Sequence, residues 1–310
     1  MGWKVIHLTK PCKIKVKNEN LVLFFYDDEQ EVKVTLKDID FILFDNTSFS
    51  ITGKSLELLA KYNIATLFID EEFHPSSMLL PYHKHSTMTE VAHIQISITR
   101  EFKEKVWQDM IVSKIQNQAK VLEFFRNDKY IELEKIASKV QLYDKNNDEA
   151  QSARLYWKNI FNNPRFKREQ GAEDIDNSML NYSYAILRAI MARYVSASGM
   201  LPVFGIWHNN KYNAFNLVDD LIEPFRAICD IYVKILRERY PDKIFLDVQL
   251  KRELVSLLNF DCVVFKNGTT SLSKACEQFV INYKKAMFGD DNLLVIYPML
   301  SIEFFKNECL

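Results

Sequence analysis

The sequence predicts an α+β chain: a small N-terminal β-rich domain followed by a larger all-α domain. Three observations carry this. Residues 1 to about 80 break into short runs rich in Val, Ile, Leu and Phe, several of them alternating with polar residues. From about residue 94 onward, apolar positions recur with helical period. The 310 residues include only seven glycines, which suits helices and disfavours turn-dense β folds and Gly-rich phosphate loops. With 48% hydrophobic and 26% charged residues, the chain can bury a sizeable core and still dissolve.

The first segments, "WKVIHL", "CKIKVK", "LVLFFY" and "EVKVTL", read as strands separated by the turn-like "TKP", "NEN" and "DDEQ". Alternation is clear from Cys12 to Lys17 and from Val32 to Leu36. "DIDFILFD" continues the pattern, and "IATLFID" adds a further strand. Between them "GKSLELLAKYN" is a short helix with Leu56, Leu59 and Ala60 on one face, packed on the small sheet domain. This domain is assigned to residues 1–80. A polar stretch around "LPYHKHSTMTE", with Pro81, marks a linker over 81–93.

The helical domain occupies 94–310. "TREFKEKVWQDMIVSKIQNQAKVLEFFR" is one long amphipathic helix whose broad apolar face carries Phe102, Val106, Met110, Ile111, Ile115, Ala119, Leu122 and Phe125. Helices follow over "YIELEKIASKVQLY", "DEAQSARLYWKNIF", "SMLNYSYAILRAIMARYVSAS", "NLVDDLIEPFRAICDIYVKILRERY", "FLDVQLKRELVSLLN" and "LSKACEQFVINYKKAMFG".

Composition narrows function by exclusion. A net charge of −1 does not announce nucleic-acid binding, although a local basic stripe can act on a neutral protein. Neither a Walker loop nor a dinucleotide-binding glycine fingerprint is present. Cys12, Cys229, Cys262, Cys276 and Cys309 are odd in number and lack metal or redox spacing, so free thiols in a reducing cytoplasm are expected. No signal peptide is read before the first strand, and no apolar run approaches the roughly 18 residues of a membrane span.

One stretch, "GIWHNNKYNAFNLVDDLIEPFR", asks for an explanation beyond packing. Asp219, Asp220 and Glu223 crowd among Leu217, Val218, Leu221, Ile222 and Phe225. At three and four residues apart on a helix these carboxylates are neighbours, and they repel unless something positive lies between them. Glu223 has an ordinary partner in Arg226, three residues on. The flanking apolar residues imply partial burial, however, and a desolvated carboxylate must be paired or bind a metal. Pro224 either bends the run or starts a helix. His208, in a polar loop, and Glu149, in the first turn of a helix capped by Asn146 or Asn147, are each ordinary when taken alone. Together they would suit Mg²⁺ or Mn²⁺ and phosphodiester chemistry.

The combination of "KIQNQAKVL", "EAQSARLYW", "NSMLNYSYAILRA" and "FNLVDDLIEPFR" resembles CRISPR-associated protein one, the spacer-acquisition integrase, in its type II branch. The resemblance spans nearly the whole chain. It implies that Glu149, His208 and Glu223 are the metal-binding and catalytic triad, with Asp220 as a supporting acid. Many relatives have Asp where this chain has Glu223, and Glu there fits the type II branch. The implied activity joins the 3′-hydroxyl of a short DNA fragment to a phosphodiester at the edge of a CRISPR repeat. Water in place of the hydroxyl would give a nuclease, and a general metal-dependent nuclease of branched DNA is the alternative. The 94–310 domain would then be catalytic.

Arg154, Arg165, Lys167, Arg168, Arg188, Arg193, Lys251 and Arg252 are candidates for phosphate contacts. Tyr156 and Trp157 are candidates for base stacking or for core packing. The resemblance further implies double-stranded DNA as substrate, a homodimer formed through the β-rich domain, and a small ferredoxin-like partner protein. It adds the RNA-guided effector nuclease as a further partner and no membrane.

Overall fold

The computed structural model describes residues 2, 4–27, 30–70, 75–80, 86–161, 163, 165–169, 171–172, 174–266, 268–289 and 295–308. The N-terminal part contains β1 (Lys4–Leu8), β2 (Cys12–Lys17), β3 (Asn20–Phe25), β4 (Glu31–Thr35), β5 (Ile39–Phe44), β6 (Phe49–Ile51), α1 (Gly53–Lys61), β7 (Ala65–Ile69) and β8 (Pro75–Leu79). They form two four-stranded sheets, ordered β1-β5-β7-β8 and β4-β3-β2-β6. In the first, β1, β5 and β7 run parallel and β8 joins antiparallel; in the second, β2, β3 and β4 form an antiparallel meander and β6 pairs parallel to β2.

Residue type explains where these strands lie. In β2, Cys12 and Ile14 are buried while Lys13 and Lys15 are exposed, the signature of a half-covered strand. Strand β5 is buried along its whole length. Its Phe41 and Leu43 face the large helical core, whereas Ile39, Ile42 and Phe44 face a smaller core with Leu8, Leu21 and Leu59. One sheet therefore closes two cores, and its inner face is continuous with the packing of the helices.

The helical part comprises α2 (Met88–Ser97), α3 (Arg100–Phe124), α4 (Tyr130–Ala137), α5 (Asp148–Ile160), α6 (Ile175–Ala197), α7 (Asn216–Leu221), α8 (Arg226–Arg239), α9 (Val248–Ser256), α10 (Leu272–Met287) and α11 (Ile302–Glu308). Residues 81–85 of the expected linker, with Pro81, lie outside the described residues. Helix α2 begins inside the remainder of that stretch, because Val91 is buried and the Gln95 side chain both donates to the Leu201 carbonyl and accepts from the Leu201 N–H. Helices α3 and α6 form the centre. Thr99 caps α3 through the Phe102 N–H, and Asp174 caps α6 through the Asn177 N–H.

Two features depart from the sequence reading. The run from Asn216 to Arg239 is not one helix: α7 ends at Leu221, a 3-10 turn covers Glu223–Phe225, and α8 starts at Arg226. Pro224 has no N–H to donate to Asp220, so the regular ladder stops there. The helical part also holds a three-stranded sheet of β9 (Val263–Phe265), β10 (Gly268–Thr270) and β11 (Met299–Leu300), ordered β10-β9-β11.

Buried polar ties join the two parts. Arg193 pairs with Asp40 at 2.7 Å, and the Tyr194 and Ser273 hydroxyls donate to Asp40. Lys251 pairs with Asp45 at 2.8 Å, and His7 Nε2 lies 2.8 Å from the same carboxylate. Arg193 and Lys251 were expected to contact DNA; both are buried and committed to carboxylates of the first sheet. Cys12, Cys229 and Cys276 are buried free thiols, and Cys309 lies outside the described residues. Among the described residues no helix is long and apolar enough to cross a membrane.

Candidate functional site

The three crowded carboxylates serve three different partners. Asp219 receives Arg188, with Nε at 2.6 Å from Oδ1 and Nη2 at 3.0 Å from Oδ2, and Asn213 donates to it at 2.7 Å. Asp220 turns to the loop before α7. Glu223, displaced by the 3-10 turn, faces α3 and α5. The broken helix thus separates charges that a regular helix would have stacked.

Asp220 is fully buried and acts as a hub for the His208 loop. Its Oδ2 accepts from the N–H of Ile206 at 2.6 Å and Trp207 at 3.1 Å, and its Oδ1 accepts from the His208 N–H at 3.1 Å. His208 Nδ1 lies 2.6 Å from Asp220 Oδ1. This bond raises the pKa of the imidazole despite partial burial. Gly205 makes the fold of the loop feasible, since a Cβ there would stand 2.1 Å from the His208 carbonyl oxygen. Asn216 closes the other side through the carbonyls of Val203, Asn210 and Asn213. Trp207 stacks on the buried Trp107 with ring centroids 5.3 Å apart, and the Trp107 ring meets His208 edge-on at 5.9 Å.

Glu149 lies in the first turn of α5. Neither Asn146 nor Asn147 provides a side-chain cap. Asn147 occupies the cap position in the left-handed region, at φ 56°. The accepting side chain is Asp144, which takes the N–H of Asp148 at 2.7 Å and of Glu149 at 3.2 Å. A capping residue ordinarily lies in the extended region, which Asn147 does not, and the upstream Asp144 carboxylate satisfies the first N–H groups of the helix.

Lys114, on the apolar face of α3, links the two glutamates. Its Nζ donates to Glu149 Oε1 at 2.6 Å and lies 2.7 Å from Glu223 Oε2. The second contact is a close ion pair without hydrogen-bond geometry, which leaves Glu223 Oε2 a buried oxygen with no hydrogen bond. Arg226 Nε donates to the other oxygen, Oε1, at 2.8 Å. Burial pushes the Glu223 carboxyl up, but the Arg226 guanidinium and the Lys114 ammonium outweigh it, and its pKa falls to about 2. Burial lowers the Lys114 pKa, but Glu223 and Glu149 more than reverse this. Two carboxylate oxygens each within 2.7 Å of one point would repel each other without a cation between them. The ammonium turns that repulsion into attraction.

The turn bearing Glu223 is held from the same helix. Asn117 is buried, and its amide donates to the carbonyls of Pro224 at 2.8 Å and Pro298 at 3.0 Å while accepting the Leu300 N–H. Lys114 and Asn117 went unread in the sequence, and Arg226 was read only as an ordinary pair for Glu223. The signal was nonetheless there: Lys114, Asn117 and Gln118 interrupt the apolar stripe of α3, and all three are buried.

Lys114 thus lies between Glu149 and Glu223, and His208 is close enough to Glu223 for their charges to interact. Among the described residues no three His, Cys, Asp or Glu side chains are grouped tightly enough to hold a cation as they stand. The donor set nonetheless fits a hard divalent cation. It offers two carboxylates, one with a buried oxygen lacking a hydrogen bond, and an imidazole whose Nδ1 is tied to a carboxylate.

The expected DNA-facing cations divide by environment. Arg154, Arg165, Lys167 and Arg252 are exposed. Arg168 is instead anchored by Asn177 at 3.0 Å and Asn181 at 2.6 Å, and its guanidinium lies over Tyr184. Arg188 is spent on Asp219 and Asn213. Tyr156 is core, its hydroxyl donating to Asp230, while Trp157 is half-buried against Tyr156 and Phe166.

Comparison with known proteins gives one consistent result. The profile of the family described as "CRISPR associated protein Cas1" matches residues 6–241. A CRISPR-associated endonuclease Cas1 from Neisseria meningitidis is 31% identical over 285 residues, covering 92% of each chain. A second such protein, from Francisella tularensis subsp. novicida, is 28% identical over 67% of this chain and 71% of its own. In fold, the chain matches a casposase bound to integration product with a TM-score of 0.77, at 21% identity and coverage of 94% and 92%. A CAS1 protein from Thermotoga maritima gives 0.75, at 14% identity and coverage of 94% and 99%. A profile match across most of the chain, with a relative of this identity along nearly its full length, leads to one conclusion: this chain belongs to the CRISPR-associated protein Cas1 family.

Proposed function

We propose that this protein is a metal-dependent DNA integrase and endonuclease of CRISPR adaptation, acting in a type II system. The observation that carries the reading is the pairing of Glu149 and Glu223 across a single positive charge, beside a histidine oriented by a buried aspartate. Family membership supports the same chemistry, since the Neisseria relative is named an endonuclease and a fold neighbour is a casposase bound to its integration product.

Glu149, Glu223 and His208 would hold Mg²⁺ or Mn²⁺. Once bound, the ion supplies Lewis-acid stabilisation of negative charge on the phosphate oxygens and lowers the pKa of the attacking hydroxyl. The chain's own residues set the geometry. Arg226 fixes the Glu223 carboxylate so that Oε2 faces Glu149, and Asp220 fixes the imidazole ring. In the joining step, the 3′-oxygen of a short DNA forms a new bond to phosphorus and the bond from phosphorus to the target strand's 3′-oxygen breaks. The attacking hydroxyl gives up its proton, and the departing oxygen gains one. With water as attacker the same exchange yields a nick. Exposed Arg154, Arg165, Lys167 and Arg252 are the proposed phosphate contacts.

The protein is proposed to act as a homodimer through its β-rich part, with a small ferredoxin-like adaptation partner. Two solved complexes with this fold are described as assemblies with Cas2. The RNA-guided effector nuclease is proposed as a further partner.

Strand transfer tests the reading. The protein and its small partner are mixed with a short DNA bearing 3′-hydroxyl ends and a supercoiled plasmid carrying leader and repeat, with Mg²⁺, Mn²⁺ or chelator. Joining at repeat edges that needs the ion and is lost in Glu149→Ala, His208→Ala and Glu223→Ala is the expected result. Joining that survives chelation, or survives in Glu223→Ala, would discard the proposed ligand set. Nicking without joining would favour the general nuclease.

A further inference from the structure

Lys114 lies between the two glutamates of the site, and neither the sequence nor the family match gives it a role. Its side chain is 10% exposed, yet it ends in a full charge. Nothing in the surrounding core of Met110, Ile111 and Ile115 needs an ammonium there. What needs it are the carboxylates of Glu149 and Glu223, which come from elements far apart in sequence and would otherwise face each other. Among the described residues, Arg226 is bonded to the other oxygen of Glu223, Oε1, and makes no ion pair with Glu149. Lys114 instead sits against Glu223 Oε2, the oxygen left without a hydrogen bond, and Glu149 Oε1.

We infer that Lys114 is a displaceable internal counter-ion, which holds the two glutamates in register until a divalent cation takes its place. This rests on the metal reading above. An ammonium at hydrogen-bond distance from both oxygens and a divalent ion bound by the same oxygens cannot share the gap. Sterically they overlap, and their like charges repel at short range. Lysine suits this task better than arginine. Its charge is a compact point on a flexible four-carbon stem, so it can withdraw without moving the helix. The proposal makes Lys114 a positioning residue and a competitor of the ion at once. Removing it should weaken the ion-free protein and tighten the ion.

The test is cation binding rather than turnover. Mn²⁺ is titrated into the full-length wild type, Glu149→Gln, Glu223→Gln and Lys114→Met, with free Mn²⁺ read by electron paramagnetic resonance and thermal melting followed alongside. The wild type should bind Mn²⁺, and both glutamate variants should lose that binding. Lys114→Met should melt earlier without the ion, bind Mn²⁺ about tenfold or more tightly, and show the larger melting shift on loading. Unchanged or weaker binding in Lys114→Met would overturn the inference and leave the metal reading intact. Absence of any wild-type binding that depends on Glu149 and Glu223 would remove the metal reading, and this inference with it. Should Lys114→Met fail to fold, acetylation of the wild type by a succinimidyl ester decides. Lys114 should be protected without Mg²⁺ and modified with it, and protection that persists at saturating Mg²⁺ would overturn the proposal.

Discussion

Asn117 donates its side-chain amide to the carbonyl of Pro224 at 2.8 Å, tying the centre of α3 to the turn that carries Glu223. The same side chain accepts the Leu300 N–H and donates to the Pro298 carbonyl, which the Ser113 hydroxyl also reaches at 3.2 Å. Asn117→Ala should lower the unfolding free energy by about 2–4 kcal/mol, because the Pro224 carbonyl and the Leu300 N–H would each lose a buried side-chain partner, while Pro298 keeps Ser113. Urea titration measures this. A loss under about 0.5 kcal/mol, the range of ordinary surface changes, would mean that other groups or water replace the amide.

Gly205 has no room for a side chain. A Cβ would meet the His208 carbonyl oxygen at 2.1 Å and Asp220 Oδ2 at 3.0 Å. Gly205→Ala should therefore distort the loop rather than any helix, at a cost of about 1–3 kcal/mol. Strand transfer should fall more steeply than folding stability does. A variant that melts earlier but joins DNA normally would show that His208 is not needed where the structure places it.

Asp220→Asn isolates the role of the buried carboxylate. One of its two accepting oxygens becomes an amide, which cannot receive the Ile206, Trp207 and His208 N–H groups together with the imidazole. The His208 pKa, now raised by this bond, should drop towards the ordinary histidine value. As the folded value exceeds the unfolded one, the charged imidazole's contribution to stability is present below about pH 6.5, as long as Asp220, whose carboxyl burial pushes up, stays ionised, and it is lost as pH climbs through the folded value. An NMR titration of the His208 ring follows the change. An unshifted ring signal would contradict the assignment of Asp220 as its partner.

Asp230 should shape stability across neutral pH. Burial pushes its carboxyl up to about 7, against the hydroxyls donated by Tyr184 and Tyr156. Between about pH 4 and this value the folded chain keeps a proton that the unfolded chain has released, so stability declines as pH rises through that window. Asp230→Asn should flatten this decline. Urea midpoints at pH 5 and pH 8 provide the comparison, and parallel slopes for wild type and variant would refute the assignment.

The parts of this molecule that were legible in its sequence are those whose signal is periodic. Alternation in β2 and the apolar stripe of α3 follow directly from which face of each element meets a core. Strands β9, β10 and β11 escaped because two or three residues cannot show a period. The cap of α5 escaped because it depends on a left-handed turn at Asn147, a tertiary choice that brings Asp144 into reach. At the site, Glu149, His208 and Glu223 were each unremarkable locally, and only the family resemblance grouped them. Lys114 differs, because its position was marked and its role was not. Its place on the apolar stripe of α3 is a local sign of burial, but what it pairs with shows only once α5 and the Pro224 turn are placed against it. Lys251 and Arg193 misled in the same way, as cations in helices that dip under the first sheet.

The ties beneath that sheet also bear on how the chain is made. Asp45 is paired by a lysine 206 residues later, and Asp40 accepts from a serine 233 residues later. A strand emerging from the ribosome carries both acids long before their partners exist, while Phe41, Leu43 and Leu67 still lack the helices that cover them. The first sheet to be synthesised is thus among the last to be completed. Between those two moments the nascent chain presents an apolar strand surface, which exposes it to aggregation and makes it a substrate for chaperones.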